Sequence, residues 1–273
     1  MSAADDPAEY LRLLGGAGDG PHDIALAALM LASLDHPGLP LLPYRSHLDE
    51  IALAARTEGP LTSGTDDAAR ALARLLAGNL GYEGDKEAYD DPQNADLISV
   101  ITRRRGLPVA LGILYMHAAR AAGLAASGLS TQGHFLVRLG TGASMALIDP
   151  FNGGAMVEFE RTATPPRMGG GVGRRIAVPV SDIDVLLRLV NNLKLRALQL
   201  GERMRALDLA KRMALIAPSK PELWFDLARL NEAAGALGDA RKAYDACLEI
   251  AKPGQTLHNE AALGLNGLKR MLN

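Results

Sequence analysis

The stretch QGHFLVRLGTGASMALIDPF, residues 132–151, holds a short apolar run opened by a histidine and another closed by an aspartate. HFLVRL and MALIDP flank a turn-like LGTGAS, which predicts two strands of a hairpin. With Thr141 and Gly142 as the loop residues, His134 falls directly opposite Asp149. Cross-strand partners have Cβ atoms about 4.5–5.5 Å apart, so the two side chains are expected to meet on one face. An imidazole held by a carboxylate supplies two members of a catalytic triad, and such chemistry then needs a nucleophile.

Upstream of this hairpin the chain reads as helices divided by turn residues. HDIALAALMLASLDHPGLP is a strongly apolar helix stopped by Pro37, Gly38 and Pro40. SHLDEIALAARTEGP has Ser46 as its expected N-cap, and TDDAARALARLLAGNLGYEG has Thr65. NADLISVITRRR follows, and then PVALGILYMHAARAAG, whose Pro108 sits in the first turn, where a missing N–H does no harm. MVEFE, residues 156–160, is a third strand candidate.

Residues 163–176, ATPPRMGGGVGRRI, carry the clearest linker chemistry. The glycines do not make a phosphate loop, because Arg174 and Arg175 follow Gly173 where that motif needs Lys-Ser/Thr. From about Ile183 the chain is helical again and repeats itself. Gly201, Ala206, Met213 and Ile216 recur as Gly235, Ala240, Cys247 and Ile250, a period of 34. That period, with Gly between paired helices and Pro218 after the pair, is the tetratricopeptide pattern. The expected organisation is therefore a helical plus α+β domain over 1–163, a Gly/Pro-rich linker over 164–176 and an all-helical domain over 177–273. Repeats are expected at about 187–220 and 221–254 and a capping helix at 255–272.

Composition excludes several function classes. The 273 residues are 48% hydrophobic, enough for a substantial core, and Lys plus Arg (29) nearly balances Asp plus Glu (31). A net charge of −2 and only 4% aromatics argue against a nucleic-acid or anionic-membrane surface. Cys247 is the single cysteine, so neither an internal disulfide nor a Cys-based zinc site is expected. His22, His36, His47, His117 and His258 show no metal-ligand spacing, and no cofactor is expected. The start lacks a secretory pattern and the longest apolar run is too short to span a bilayer, so the expectation is a cytoplasmic protein.

The order Gly106-Leu107-Pro108, long helix, His134, Asp149 resembles the layout of transglutaminase-like (papain-like) cysteine enzymes. In that superfamily the thiol stands in a Gly-x-Cys pattern at a helix N-terminus, whose partial positive charge favours thiolate. Aligned without a gap, the cysteine position falls on Pro108, which has neither a nucleophile nor an N–H. Ser99 and Thr102 on the preceding helix, and Ser127, Ser130 and Thr131 in an expected loop, sit in no activating motif, and Cys247 reads as a buried core residue. More narrowly, LGYEGDKEAYDDPQNADLISVITRRRGLPVALGILYMHAARAAGL, QGHFLVRLG and LIDPFNGG resemble the SirB family. That resemblance implies a transglutaminase-like core followed by tetratricopeptide repeats, with proline normal at position 108. It departs at Gln132, where the family reads proline.

Each candidate also has a plain structural reading. His134 and Asp149 could line a cleft or simply lock the hairpin. Asn94 stands at a characteristic asparagine of the family, yet helix capping is the favoured role. Arg103, Arg104 and Arg105 could grip an anion, but charge at a helix C-terminus complements its dipole, and that reading is favoured. Asp149-Pro150-Phe151-Asn152-Gly153-Gly154 is expected to be a strand end and tight turn. The function expected is a non-catalytic binding or scaffold protein. Its candidate pocket comprises Asn94, Pro108, His134 and Asp149, and a protein or peptide partner lies in the repeat groove. The alternative is a hydrolase or acyl-transfer enzyme using His134 and Asp149 with water or a hydroxyl nucleophile.

Overall fold

The computed structural model describes residues 6–57, 64–130, 135–142, 144–157 and 178–272. Contacts group the chain into two compact units, Gly20–Val185 and Met1–Asp19 with Leu186–Asn273. The linker expected at 164–176 lies outside the described residues.

The first unit is built around helix α6, Pro108–Ala121, with Pro108 at the first position and buried residues on every face. A helix apolar all round has to sit inside the fold. Around it pack α2 (Ile24–Ser33), α3 (Leu42–Thr57), α4 (Thr65–Ala73) and α5 (Leu97–Arg103). Asp23 caps α2 by accepting the Leu26 N–H at 3.1 Å. Two expected caps move. Helix α3 begins at Leu42, four residues before Ser46, because Tyr44 and Arg45 already donate to Leu41 O. Thr65 is the first residue of α4 rather than its cap, with Gly64 before it at φ 128. A π-helical segment, Arg74–Asn79, then continues α4.

The unit holds two sheets. β1 (Glu83–Gly84) and β2 (Arg105–Gly106) form a short parallel pair. The larger sheet is antiparallel throughout, in the order β6-β5-β4-β3-β7. Its strands are β3 (Ala126–Ser130), β4 (Phe135–Thr141), β5 (Ser144–Asp149), β6 (Ala155–Met156) and β7 (Val178–Val180). The two hairpin strands form as expected; of the third candidate, 156–160, only Met156 is in a strand, β6, and 158–160 lie outside the described residues. β3 and β7 were not expected.

The hairpin register differs from expectation by two residues. Thr141 pairs with Ser144 and Val137 with Ile148, so the loop moves to residues 142–143. Gly142 has φ 62, the conformation that the first loop position of a tight hairpin demands, and Thr141, β-branched, stays in the strand. Continuing that register one step sets Asp149 opposite Leu136, not opposite His134. Phe135 and Val137 face α6 across Gly112, where an added Cβ would lie 2.3 Å from Phe135 Cε1. Gly112→Ala should therefore destabilise the protein by about 1–3 kcal/mol through overpacking, read as a lower urea midpoint at unchanged slope.

The second unit is helical. Its elements are α1 (Pro7–Ala17), most of α7 (Asp182–Gln199), α8 (Arg203–Ile216), α9 (Pro221–Ala233), α10 (Leu237–Ile250) and α11 (Thr256–Leu272). Helix α1 packs on α8 through Gly15, where a Cβ would fall 2.3 Å from Leu215 O. From α8 to α11 each helix packs on the next. Gly201 and Gly235 turn the chain after α7 and α9 at φ 76 and φ 74. Ala217 and Ala251 close α8 and α10 by donating to Met213 O and Cys247 O. Cys247 is fully buried in the core with Leu227, Ala228 and Tyr244, and burial pushes its thiol pKa up. Among the described residues no helix is long and apolar enough to cross a membrane.

Candidate functional site

The N-terminus of α6 rests on a polar network made by two loops. Asn94 is fully buried in a 3-10 turn, Pro92–Ala95. Its Nδ2 donates to Ala88 O at 2.6 Å, and its Oδ1 accepts from Arg103 Nη1 at 3.1 Å. Its backbone carbonyl accepts the N–H of Leu107 at 2.8 Å, which sets the residue just before Pro108. Asp85 completes the network, accepting from the Ala88 N–H and from Arg103 Nη2, each at 2.9 Å. The Ala88 N–H first of all, then Asn94 and Arg103, hold the Asp85 carboxyl below its ordinary pKa against the opposing pull of burial. The β1–β2 pair ties the same two loops together.

Asn94 therefore does not cap α5. Asp96 does, accepting the Ser99 N–H at 2.7 Å while its other oxygen meets His36 Nε2 at 3.0 Å. An aspartate two residues on was free to cap because the turn before it had buried the asparagine. The three arginines also do more than complement a dipole. Arg103 bonds Asp85, Arg105 pairs with Glu83 at 2.7 Å, and Arg104 lies over the Tyr82 ring, 4.7 Å from its centroid.

Asp149 closes β5 and caps a second 3-10 turn, Pro150–Asn152. Its carboxylate accepts from the N–H groups of Phe151 (3.0 Å) and Asn152 (3.3 Å) and from Asn152 Nδ2 (2.8 Å). Gly153 and Gly154 follow at φ 67 and φ 76, so the expected strand end and tight turn are present. This turn packs on α6 and on β1, where a Cβ on Gly84 would meet the Phe151 ring at 2.4 Å. Tyr89 adds an edge-on contact to Phe151, centroids 5.6 Å apart. Tyr115 of α6 has a buried hydroxyl with no hydrogen-bond partner among the described residues. Burial and then the nearby Asp149 charge both raise its pKa.

Of the residues singled out in sequence, the structure brings Asn94 to the residue preceding Pro108 and docks the Asp149 turn on the same helix. His134 and Thr131 lie outside the described residues. Ser127 and Ser130 stand on β3 rather than in a loop, and Ser127 Oγ is buried with no hydrogen-bond partner among the described residues. Thr102 Oγ1 donates to Ile98 O at 2.9 Å. Among the described residues no group of three or more His, Cys, Asp or Glu side chains is placed to hold a metal.

A cluster missed in sequence lies beside this network. His47 of α3 meets the Tyr82 hydroxyl at 2.8 Å through Nε2 and Glu50 at 3.4 Å through Nδ1. Arg104 Nη1 reaches both His47 Nε2 and the Tyr82 oxygen. Two donors crowd Nε2, so the imidazole proton belongs on Nδ1, facing Glu50. Burial pushes the Tyr82 hydroxyl up to about 12, against the opposing Arg104 charge. Burial first, then Arg104, holds His47 below its ordinary pKa of 6.5. A histidine depressed in the fold contributes stability that is complete above about pH 6.5 and is lost as pH falls toward the folded pKa. Stability should thus decline below about pH 6.5, and His47→Gln should flatten that limb of a urea-midpoint series taken against pH. The signal was not local: His47 and Arg104 are 57 residues apart.

A family model described as the transglutaminase-like superfamily matches residues 43–191, and the chain belongs to that superfamily. Within it, the chain is similar to UPF0162 proteins of bacteria. The one from Xylella fastidiosa strain Temecula1 is 30% identical over 226 residues, 79% of this chain and 80% of the relative. The one from Xylella fastidiosa strain 9a5c is 32% identical over 202 residues, 71% and 72% of the two chains. A third, from Vibrio cholerae, is 35% identical over 111 residues, 40% of this chain and 41% of the relative.

Proposed function

We propose that this chain is a non-catalytic member of the transglutaminase-like superfamily, of the SirB type, that works by binding. The observation that carries this reading is the state of the α6 N-terminus. Pro108 holds the first helical position, which the superfamily resemblance assigns to the nucleophilic cysteine, and the Leu107 N–H is already taken by Asn94 O. Pro108 has no N–H, so position 108 offers an oxyanion neither a thiolate nor a backbone donor, and the donor at 107 is occupied. The Asp149 carboxylate is likewise engaged by three donors of its own turn, which favours a structural role over orienting His134.

The helices from α7 onward then serve as tetratricopeptide-type repeats whose groove takes a protein or peptide segment. The 34-residue equivalence of Gly201 with Gly235 and Ala217 with Ala251 supports that reading. Fold membership alone confers no activity, so turnover is the test. Wild-type protein and His134→Ala are expected to hydrolyse a series of peptide amides at the same background rate. A drop of about 10²–10⁴ on substitution would mark His134 as a general base and sink the reading.

A further inference from the structure

Arg104 is the only non-glycine residue with positive φ among the described residues, at φ 60. It ends α5 in the left-handed conformation, donating its N–H to Val100 O at 2.8 Å. Glycine fills that position at least conformational cost, so an arginine there is strained for the sake of its side chain. That side chain is a cation with no ion-pair partner among the described residues. Arg103 and Arg105 each pair with a carboxylate, Asp85 at 2.9 Å and Glu83 at 2.7 Å. Arg104 has no carboxylate within the 4.0 Å ion-pair distance among the described residues.

Its side-chain partners among the described residues are the His47 ring and the Tyr82 hydroxyl. Nη1 is spent on His47 and the Tyr82 oxygen, and the guanidinium plane is braced 4.7 Å from the Tyr82 ring centroid. The Nε and Nη2 hydrogens make no hydrogen bond to the described residues. That edge of a guanidinium presents parallel donors with the spacing of two oxygens on one carboxylate or phosphate. Glu50, the carboxylate that meets His47 among the described residues, is exposed and reaches the far side of that ring through Nδ1.

We propose that Arg104, fixed by His47 and Tyr82, binds an oxyanion of a ligand through its Nε and Nη2 edge. The ligand class is a small molecule or peptide bearing a phosphate or a carboxylate. The site adjoins the loop leading to Pro108, but the proposal stands whether or not that helix end catalyses anything. An anion here offsets the Arg104 charge, which after burial is the influence that lowers the His47 pKa.

The test is a titration of the full-length protein with inorganic phosphate and, separately, acetate, followed through the His47 ring protons by NMR. A saturable shift with a rise in the His47 pKa is expected. Response to phosphate alone assigns a phosphate ligand, and response to both admits a carboxylate. No saturable shift with either anion overturns the proposal. Arg104→Gly, which keeps the left-handed cap, should fold and weaken the response at least tenfold. Arg105→Gln should respond as wild type. If Arg104→Gly titrates like wild type, or Arg105→Gln loses the response equally, the anion is not held by Arg104 and the proposal fails.

Discussion

Asn94→Ala is expected to destabilise the protein by about 3 kcal/mol, because it removes a fully buried amide that bonds a backbone carbonyl and a cation, leaving Ala88 O with the Asp91 N–H alone and Arg103 with Asp85 alone. The amide is fully buried, and its loss leaves Ala88 O and Arg103 Nη1 without their bonds of 2.6 and 3.1 Å. Each buried group left unsatisfied costs about 1–3 kcal/mol, more where one is charged. A helix cap in the same place would cost only about 1 kcal/mol. Urea unfolding at constant slope separates the two roles, and a loss below that cap value would contradict the network. The same substitution leaves the Leu107 N–H bonded to the position 94 carbonyl, so helix α6 should still form.

The second large effect is at the opposite end of α6. Asp182 is nearly fully buried and grips Arg120 with both oxygens at 2.7 Å, while one oxygen also accepts the His22 N–H at 2.9 Å. Arg120 further donates to Ala126 O, so this one pair fastens α6 to the start of β3 and the start of α7. Breaking a buried pair costs about 3–5 kcal/mol when it leaves a charge alone. Arg120 keeps 26% of its side chain exposed and its carbonyl bonds, so Asp182→Ala should fall near the lower end, at about 3 kcal/mol. Thermal and urea unfolding of Asp182→Ala, Arg120→Leu and the double variant would check this. The double variant should recover part of the loss, since it removes the stranded cation.

The central helix and the hairpin strands were legible because their signals are local. Pro108 marks a helix start, and HFLVRL and MALIDP carry strand chemistry on either side of glycine. Register was harder, since two glycines, Gly140 and Gly142, compete for the turn and both take positive φ. β3 was hidden because ASGLS has weak strand propensity. It pairs on both edges, and Gly128 admits Phe135 where a Cβ would come within 2.7 Å. Asn94 was recognised as special but given the wrong task, since a cap needs only the next few residues whereas its true partner, Arg103, lies nine residues on. The Tyr82–His47–Arg104 cluster joins three separate segments, and no periodicity or spacing encodes such a meeting.

Two groups read as candidate site residues are already engaged, Asp149 within its own turn and Asn94 between Ala88 and Arg103. That is the physical content of the binding proposal: Asp85, Asn94 and Arg103 are committed to holding the helix end in place, and Asp149 to its own turn. Function would then rest on what the surface around that end and the helical unit can hold, rather than on a bond made or broken.

The most direct measurement is hydroxamate formation from a glutaminyl peptide with hydroxylamine as acceptor, for wild type and His134→Ala. The proposal predicts that both rates equal the buffer rate, because Pro108 offers no thiolate and no N–H, and the Leu107 N–H is held by Asn94 O. A wild-type rate above buffer that vanishes in His134→Ala would contradict it and establish acyl transfer at this site.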